Sequence, residues 1–208
     1  MPVAHHVIFT AYGFWLPNDP RGSCSDFIGA WELFIAAGRA RKRTSKPAAP
    51  AAHGSARMKA KESLQFPPVK FSRAQILAIA EGFATAAQEG EYEIWACSIL
   101  AQHIHMVIRD NPRAIEKIIG HLKQRASMAL YKQKLHPFDR QTRPNGRAVS
   151  CWAENGWSVF LDSSEDILRS VEYVKDNPIK AGGRGQRWPF VKEIFGVRSD
   201  ARPDERAG

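Results

Sequence analysis

Cysteine is scarce in this chain: Cys24, Cys97 and Cys151 are its only thiols, scattered and without C-x-x-C spacing. That excludes a disulfide framework and a zinc knuckle, leaving reduced and mostly buried side chains. No apolar run reaches membrane-spanning length, and no basic n-region leads into a signal-peptide core. The expectation is a cytoplasmic, nucleoid-associated protein. Acid is also in deficit, with 21 Asp and Glu against 30 Lys and Arg, a formal charge of +9 and a pI near 9.7. Such an excess of base points to a polyanionic partner, nucleic acid first. Two hydrolase classes lack their residues as well. A His-x-His-x-Asp-His metallohydrolase needs an acid two residues after His105, where Val107 stands. A two-histidine phosphoesterase needs paired His-x-Ser/Thr motifs, and the pair here is His-x-His.

What is present is enough for a core: 208 residues, 44% of them hydrophobic, predict one domain with extensions. The informative stretch runs from Glu93 to Arg109 and carries His103-Ile104-His105 inside an apolar run. It reads as a buried strand, or a hairpin turning near Leu100-Ala101-Gln102. Side chains alternate along a strand, so His103, His105 and Val107 share one face. The two imidazoles then stand roughly 6.5–7 Å apart, close enough to chelate one ion. The competing reading is two polar residues on the wet side of a half-buried strand.

Around it, His5 to Tyr12 forms a first strand, with His5 and His6 read as a solvated strand start rather than ligands. Gly13 to Gly22 is a loop, Gly29 to Ala37 a short helix, and Gly38 to Lys61 a mobile basic arm rich in Ala, Pro, Lys and Arg. A solvated linker and a phosphate-binding arm fit that tract equally. Ser72 is the N-cap of a helix ending at Gly90, and Asn111-Pro112 starts a second with its apolar stripe on Ile115, Ile118, Ile119, Leu122, Ala126, Ala129 and Leu130. Lys123, Arg125 and Lys132 lie off that stripe, and Arg140, Arg143 and Arg147 follow in a loop. These six are the candidate DNA-binding residues, against the alternative of a merely soluble face. Val149 to Trp152 and Trp157 to Leu161 read as short strands around an Asn155-Gly156 turn. A last helix begins at Asp162-Ser163-Ser164 and stops at Pro178. At about 100° per residue, Tyr173 and Asn177 fall on the side away from its apolar stripe of Ile167, Leu168, Val171 and Val174, adjacent as an i, i+4 pair.

Together, Gln102-His103-Ile104-His105-Met106-Val107-Ile108 and Tyr173-Val174-Lys175-Asp176-Asn177-Pro178-Ile179-Lys180-Ala181-Gly182 resemble the paired signature of single-tyrosine HUH transposases. The closest likeness is to REP-associated tyrosine transposases, with their His-hydrophobic-His strand and Tyr-x-x-x-Asn-Pro-x-x-Ala-Gly helix end. His6 to Thr10 is similar to that family's opening strand, and Leu122 to Arg125 resembles its middle helix. The match covers residues 5–12 and 93–183. Two departures stand out: Pro17 to Phe71 is longer and more basic than the family core needs, and Ala101-Gln102 replaces the usual Pro-Asn.

The resemblance implies an α+β, ferredoxin-like sandwich of an antiparallel sheet and helices, a single domain over 1–208 with a basic insertion at about 38–62 and a C-terminal tail at about 184–208. It implies Tyr173 as the nucleophile, and His103, His105 and Asn177 as ligands of Mg²⁺ or Mn²⁺. The reaction implied is attack on single-stranded DNA beside a REP-like hairpin, giving a 5′-phosphotyrosine, in a monomer or homodimer. A non-catalytic hairpin-binding relative is the alternative.

Overall fold

A computed structural model describes residues 3–14, 64–143 and 145–194. The short helix expected at Gly29 to Ala37, the basic arm and Cys24 lie outside those residues, as does the end of the tail. The order is β1 (Ala4–Ala11), α1 (Arg73–Glu89), β2 (Ile94–Ile99), β3 (His103–Arg109), α2 (Ile115–Lys132), β4 (Trp152–Leu161) and α3 (Ser164–Lys180). The four strands form one sheet in the order β2-β3-β1-β4, every pair antiparallel. This is the expected α+β, ferredoxin-like arrangement.

The sheet separates two apolar layers. On one side Val7, Phe9, Ile104, Met106 and Ile108 meet Ile79, Phe83, Ile118, Leu122 and Leu130 of α1 and α2 in the main core. On the other, Ala4, Val107 and Leu161 meet Ile167, Val171 and Val174 of α3. Strand alternation decides which layer each side chain enters. The central strands are buried almost throughout because both faces are covered over part of their length.

Local chemistry sets most of the ends. Ser72 and Gln75 form a reciprocal capping box at α1, each side chain bonding the other's backbone N–H. Ser163 caps α3 by accepting from Asp166 N, with Glu165 and Asp166 in the first turn where the helix dipole favours acid. Three expected boundaries move. Asn111 does not cap α2: its Oδ1 accepts from Arg113 N in a local turn, and the helix starts after Ala114. Asn155-Gly156 is not a hairpin turn, since β4 runs unbroken from Trp152 to Leu161 and Gly156 pairs with Phe9. Glycine is needed there for close approach, because a Cβ would lie 3.1 Å from the Ile119 side chain and 3.2 Å from the Ile8 carbonyl oxygen. Pro178 does not end α3 either. It sits buried inside the last turn, and the helix continues to Lys180.

Beyond α3 the first part of the tail is docked. The Gln186 amide bonds both backbone groups of Ile99, Val191 pairs in parallel with Ile94, and Lys192 N donates to Ile94 O. The outer edge of β2 is thereby covered.

Gly82 fixes how closely α1 and α2 cross, since a Cβ there would come within 2.5 Å of Ala126 Cα and 2.6 Å of the Arg125 carbonyl oxygen. The obstacle is backbone, which cannot swing aside. Gly82→Ala should therefore lower unfolding free energy by about 1–3 kcal/mol despite the better helix propensity of alanine. Urea denaturation of the two proteins measures this; equal or greater stability for Gly82→Ala would show that the helices separate freely.

Candidate active site

The site is built where β1, β3 and α3 meet, on the sheet face away from α1 and α2. The register sets Ile8 opposite His105, Thr10 opposite His103 and His6 opposite Val107, so His6, His103 and His105 project from one face. His6 Nε2 lies 3.1 Å from His105 Nδ1. The His103 and His105 rings stand 5.0 Å apart, edge to face. From above, α3 brings the Tyr173 ring to 5.8 Å from His6 and 5.6 Å from His105. The two histidines expected on one strand face and the tyrosine expected beside them are thus brought together.

His6 is a correction. It is not a solvated strand start but a half-buried member of the cluster, bonded to a predicted ligand. Nothing in the local sequence marks it. The signal was topological: an antiparallel neighbour of the His-x-His strand must place its own outward residue beside those imidazoles. His5, by contrast, pairs with Asp110 at 3.0 Å on the other side of the sheet.

Tyr173 keeps 45% of its surface exposed while touching both imidazoles. It lies on the flank of the α3 stripe rather than on the far side, which is how it is at once accessible and in contact with the sheet. The other tyrosines are engaged elsewhere. Tyr12 packs against Phe66 and Phe138. Tyr92 is buried, its hydroxyl between His121 Nδ1 at 3.0 Å and an Arg113 donor at 2.6 Å. Tyr131 stacks on His136 with ring centres 3.9 Å apart.

Burial governs the protonation of the imidazoles. It lowers His6 to about 4 and His105 to about 3, the latter helped by the neighbouring His103 and His6. Both are neutral at pH 7, the form that ligates a cation. The hydrogen bond between them then restricts the tautomer. If His105 Nδ1–H donates to His6 Nε2, the His105 Nε2 lone pair is free; the reverse sense would leave Nε2 protonated.

The residues able to hold a divalent cation are His103 and His105, with the carbonyl oxygen of Asn177 one turn beyond Tyr173. Two buried polar atoms carry no hydrogen bond among the described residues: Asn177 Nδ2, one turn after Tyr173, and the hydroxyl of Ser98, directly opposite His105 on β2. Such atoms are costly unless a polar group reaches them. No group of three His, Cys, Asp or Glu arranged for a metal exists among the described residues.

The predicted DNA contacts divide. Lys123 is overturned as one: it is 9% exposed, points into the main core layer, and donates to the carbonyls of Ala153 at 2.8 Å and Glu154 at 3.3 Å, over the Phe9 ring. Burial lowers it to about 8. Its amphipathic stem follows the apolar surface and its ammonium stitches α2 to β4. Arg125 is committed to Glu89 at 2.6 Å, on the layer opposite the histidines. Lys132, Arg140, Arg143 and Arg147 are exposed.

A pH test follows from the two buried imidazoles. Their folded values lie below the unfolded 6.5, so between roughly pH 6.5 and pH 4 the unfolded chain binds more protons. Stability is full above that window and falls as pH drops through it. The urea midpoint should decline from pH 7 to pH 5, and His6→Asn should show a shallower decline; identical slopes would mean that His6 is hydrated.

No family model matches this chain. A protein of Haemophilus influenzae named "Putative REP-associated tyrosine transposase" is 25% identical over 123 residues, which span 56% of this chain and 68% of the relative. Among solved structures, a REP-associated tyrosine transposase bound to a REP hairpin aligns with 87% of this chain and 69% of its own at 11% identity, TM-score 0.46. A crystal structure titled as a putative transposase from Deinococcus radiodurans aligns with 85% of this chain and 91% of its own at 10% identity, TM-score 0.38. In sequence, then, the chain is similar to the REP-associated tyrosine transposases, the family that its His-x-His strand and Tyr-x-x-x-Asn-Pro helix end resemble.

Proposed function

We propose that this chain is a divalent-cation-dependent transposase that cuts and rejoins single-stranded DNA beside a hairpin, with Tyr173 as nucleophile. The observation that carries the reading is the convergence of an accessible tyrosine with two neutral imidazoles from separate strands. The similarity to the relative named in Haemophilus influenzae points the same way.

In the step proposed, Tyr173 Oη attacks the scissile phosphorus and gives up its proton. The bond from phosphorus to the 3′ oxygen breaks, and that oxygen leaves as a 3′-hydroxyl after taking a proton. A 5′-phosphotyrosine results, and the reverse attack by a 3′-hydroxyl rejoins strands without an external energy source. A Mg²⁺ or Mn²⁺ held by His103, His105 and Asn177 would supply positive charge to the phosphate oxygens. His6 acts through His105 by holding its tautomer. Lys180, 5.5 Å over the Tyr173 ring, places a further positive charge beside the attacking group. The non-catalytic reading remains the competitor, since among the described residues no third histidine or acid completes the ligand set.

Incubation with end-labelled single-stranded DNA and Mn²⁺, followed by denaturing electrophoresis, should give a protein–DNA adduct. Tyr173→Phe should abolish it and His105→Ala reduce it at least a hundredfold, with DNA binding nearly retained. Binding without any adduct in the wild type would establish the non-catalytic reading. The phosphate path is tested by salt. Replacing Arg140, Arg143 and Arg147 together with Ala should flatten the log–log salt dependence by about 2 if all three touch a single strand. Lys123→Ala should instead lower stability and leave the slope alone; a slope change in a folded Lys123→Ala protein would return the DNA path to α2.

A further inference from the structure

The sheet face that carries the histidines is only partly roofed. Helix α3 packs chiefly over β2 and β3 and touches the other two strands at Ala4 and His6 of β1 and at Leu161 of β4. Beside that contact, on the same face of β4, stands Trp157, 39% exposed and paired with the buried Ile8. Its direction is fixed by its neighbour: Gly156 lies against Ile119 of α2, so Trp157 projects from the opposite face, the one shared by His6, Ile8 and His105.

The register gives its distance from the chemistry. Trp157 pairs with Ile8 and Ile8 pairs with His105, so the tryptophan sits two strands from the imidazole, about 10 Å away at ordinary strand spacing. An exposed indole on a rigid strand is a poor surface residue but a good stacking platform. It faces the same solvent as Tyr173, 45% exposed, and Lys180.

We propose that Trp157 stacks on one unpaired base next to the scissile phosphate and so positions the single strand for Tyr173. The inference rests on the reading of the site as a single-stranded DNA transferase and adds a neutral contact to it. The occupant is a base rather than an apolar peptide because the chain as a whole is cationic, with a formal charge of +9, and Lys180 stands on this side over the Tyr173 ring. A stack tolerates any base, so Trp157 would set the strand's position and not its sequence.

The test uses the full chain carrying Tyr173→Phe, so that nothing turns over, and fluorescence anisotropy with a labelled single-stranded oligonucleotide at fixed salt. Adding Trp157→Ala should weaken binding by about 5- to 150-fold, with Trp157→Phe recovering most of the loss and the salt slope unchanged. Independently, an abasic substitution walked along the oligonucleotide should weaken the Trp157-containing protein at one position, and that position should make no difference to the Trp157→Ala protein. The walk on the intact Trp157 protein stands even if the alanine variant unfolds. Equal affinity with and without the indole, or losses spread evenly over all abasic positions, would overturn the proposal. An absent adduct in the Tyr173 protein would defeat the transferase reading alone, since base stacking is read without chemistry.

Discussion

The pairing of β1 with β3 is the constraint on which the rest depends. These are the two central strands, and their register does two jobs in one set of hydrogen bonds. It presents Val7, Phe9, Ile104 and Met106 to α1 and α2, closing the main core. It also sets His6 diagonally beside His105, at hydrogen-bond distance. A slip of one residue would turn every side chain to the opposite face, burying imidazoles in the apolar layer. The hydrophobic pattern that resists such a slip therefore also preserves the site.

A second consequence is that the two sides of the sheet are specialised. On the side of α1 and α2 several polar groups are tied to structure, although His5 Nδ1 and Trp188 Nε1 are buried without a hydrogen bond among the described residues. Glu89 holds both His121 and Arg125, His121 holds the Tyr92 hydroxyl, and Lys123 bonds backbone carbonyls of β4. These pairs fix α1, α2 and the start of β2 relative to one another, and their charges are spent internally. On the other side the polar groups are less committed: Asn177 Nδ2 and the Ser98 hydroxyl are buried without a hydrogen bond among the described residues, and Tyr173 is open to solvent. Polar atoms left in that condition cluster where a ligand is expected, because burial without a partner costs free energy.

The third helix joins these features. Its capped N-terminus and its stripe of Ile167, Val171 and Val174 hold it on the sheet, while its second half carries Tyr173 to His6 and His105, with Lys180 over the tyrosine ring. The docked segment after it, anchored by Gln186 on Ile99 and Lys192 on Ile94, keeps the helix end from swinging away along β2. Residues of the site thus come from three elements, each held by packing of its own, which suits a catalytic arrangement better than a mobile loop does.

The sequence by itself determined whatever depends on neighbours a few residues away. The capping box at Ser72, the alternation that puts His103 and His105 on one face, the i, i+4 spacing of Tyr173 and Asn177, and the order of strands and helices were all legible, because strand and helix periods are local. The scarcity of acid and the two separated motifs pointed to DNA and to the transposase resemblance before any contact was known. Only the tertiary structure decided matters that depend on which strand lies beside which. It brought His6 into the cluster, withdrew Lys123 from the surface by giving it carbonyls of β4 to bond, kept Asn155-Gly156 within a strand because α2 presses against the glycine, and left Trp157 uncovered on the site's own face. Each of these is a contact between residues far apart in the chain, and no local pattern records the partner.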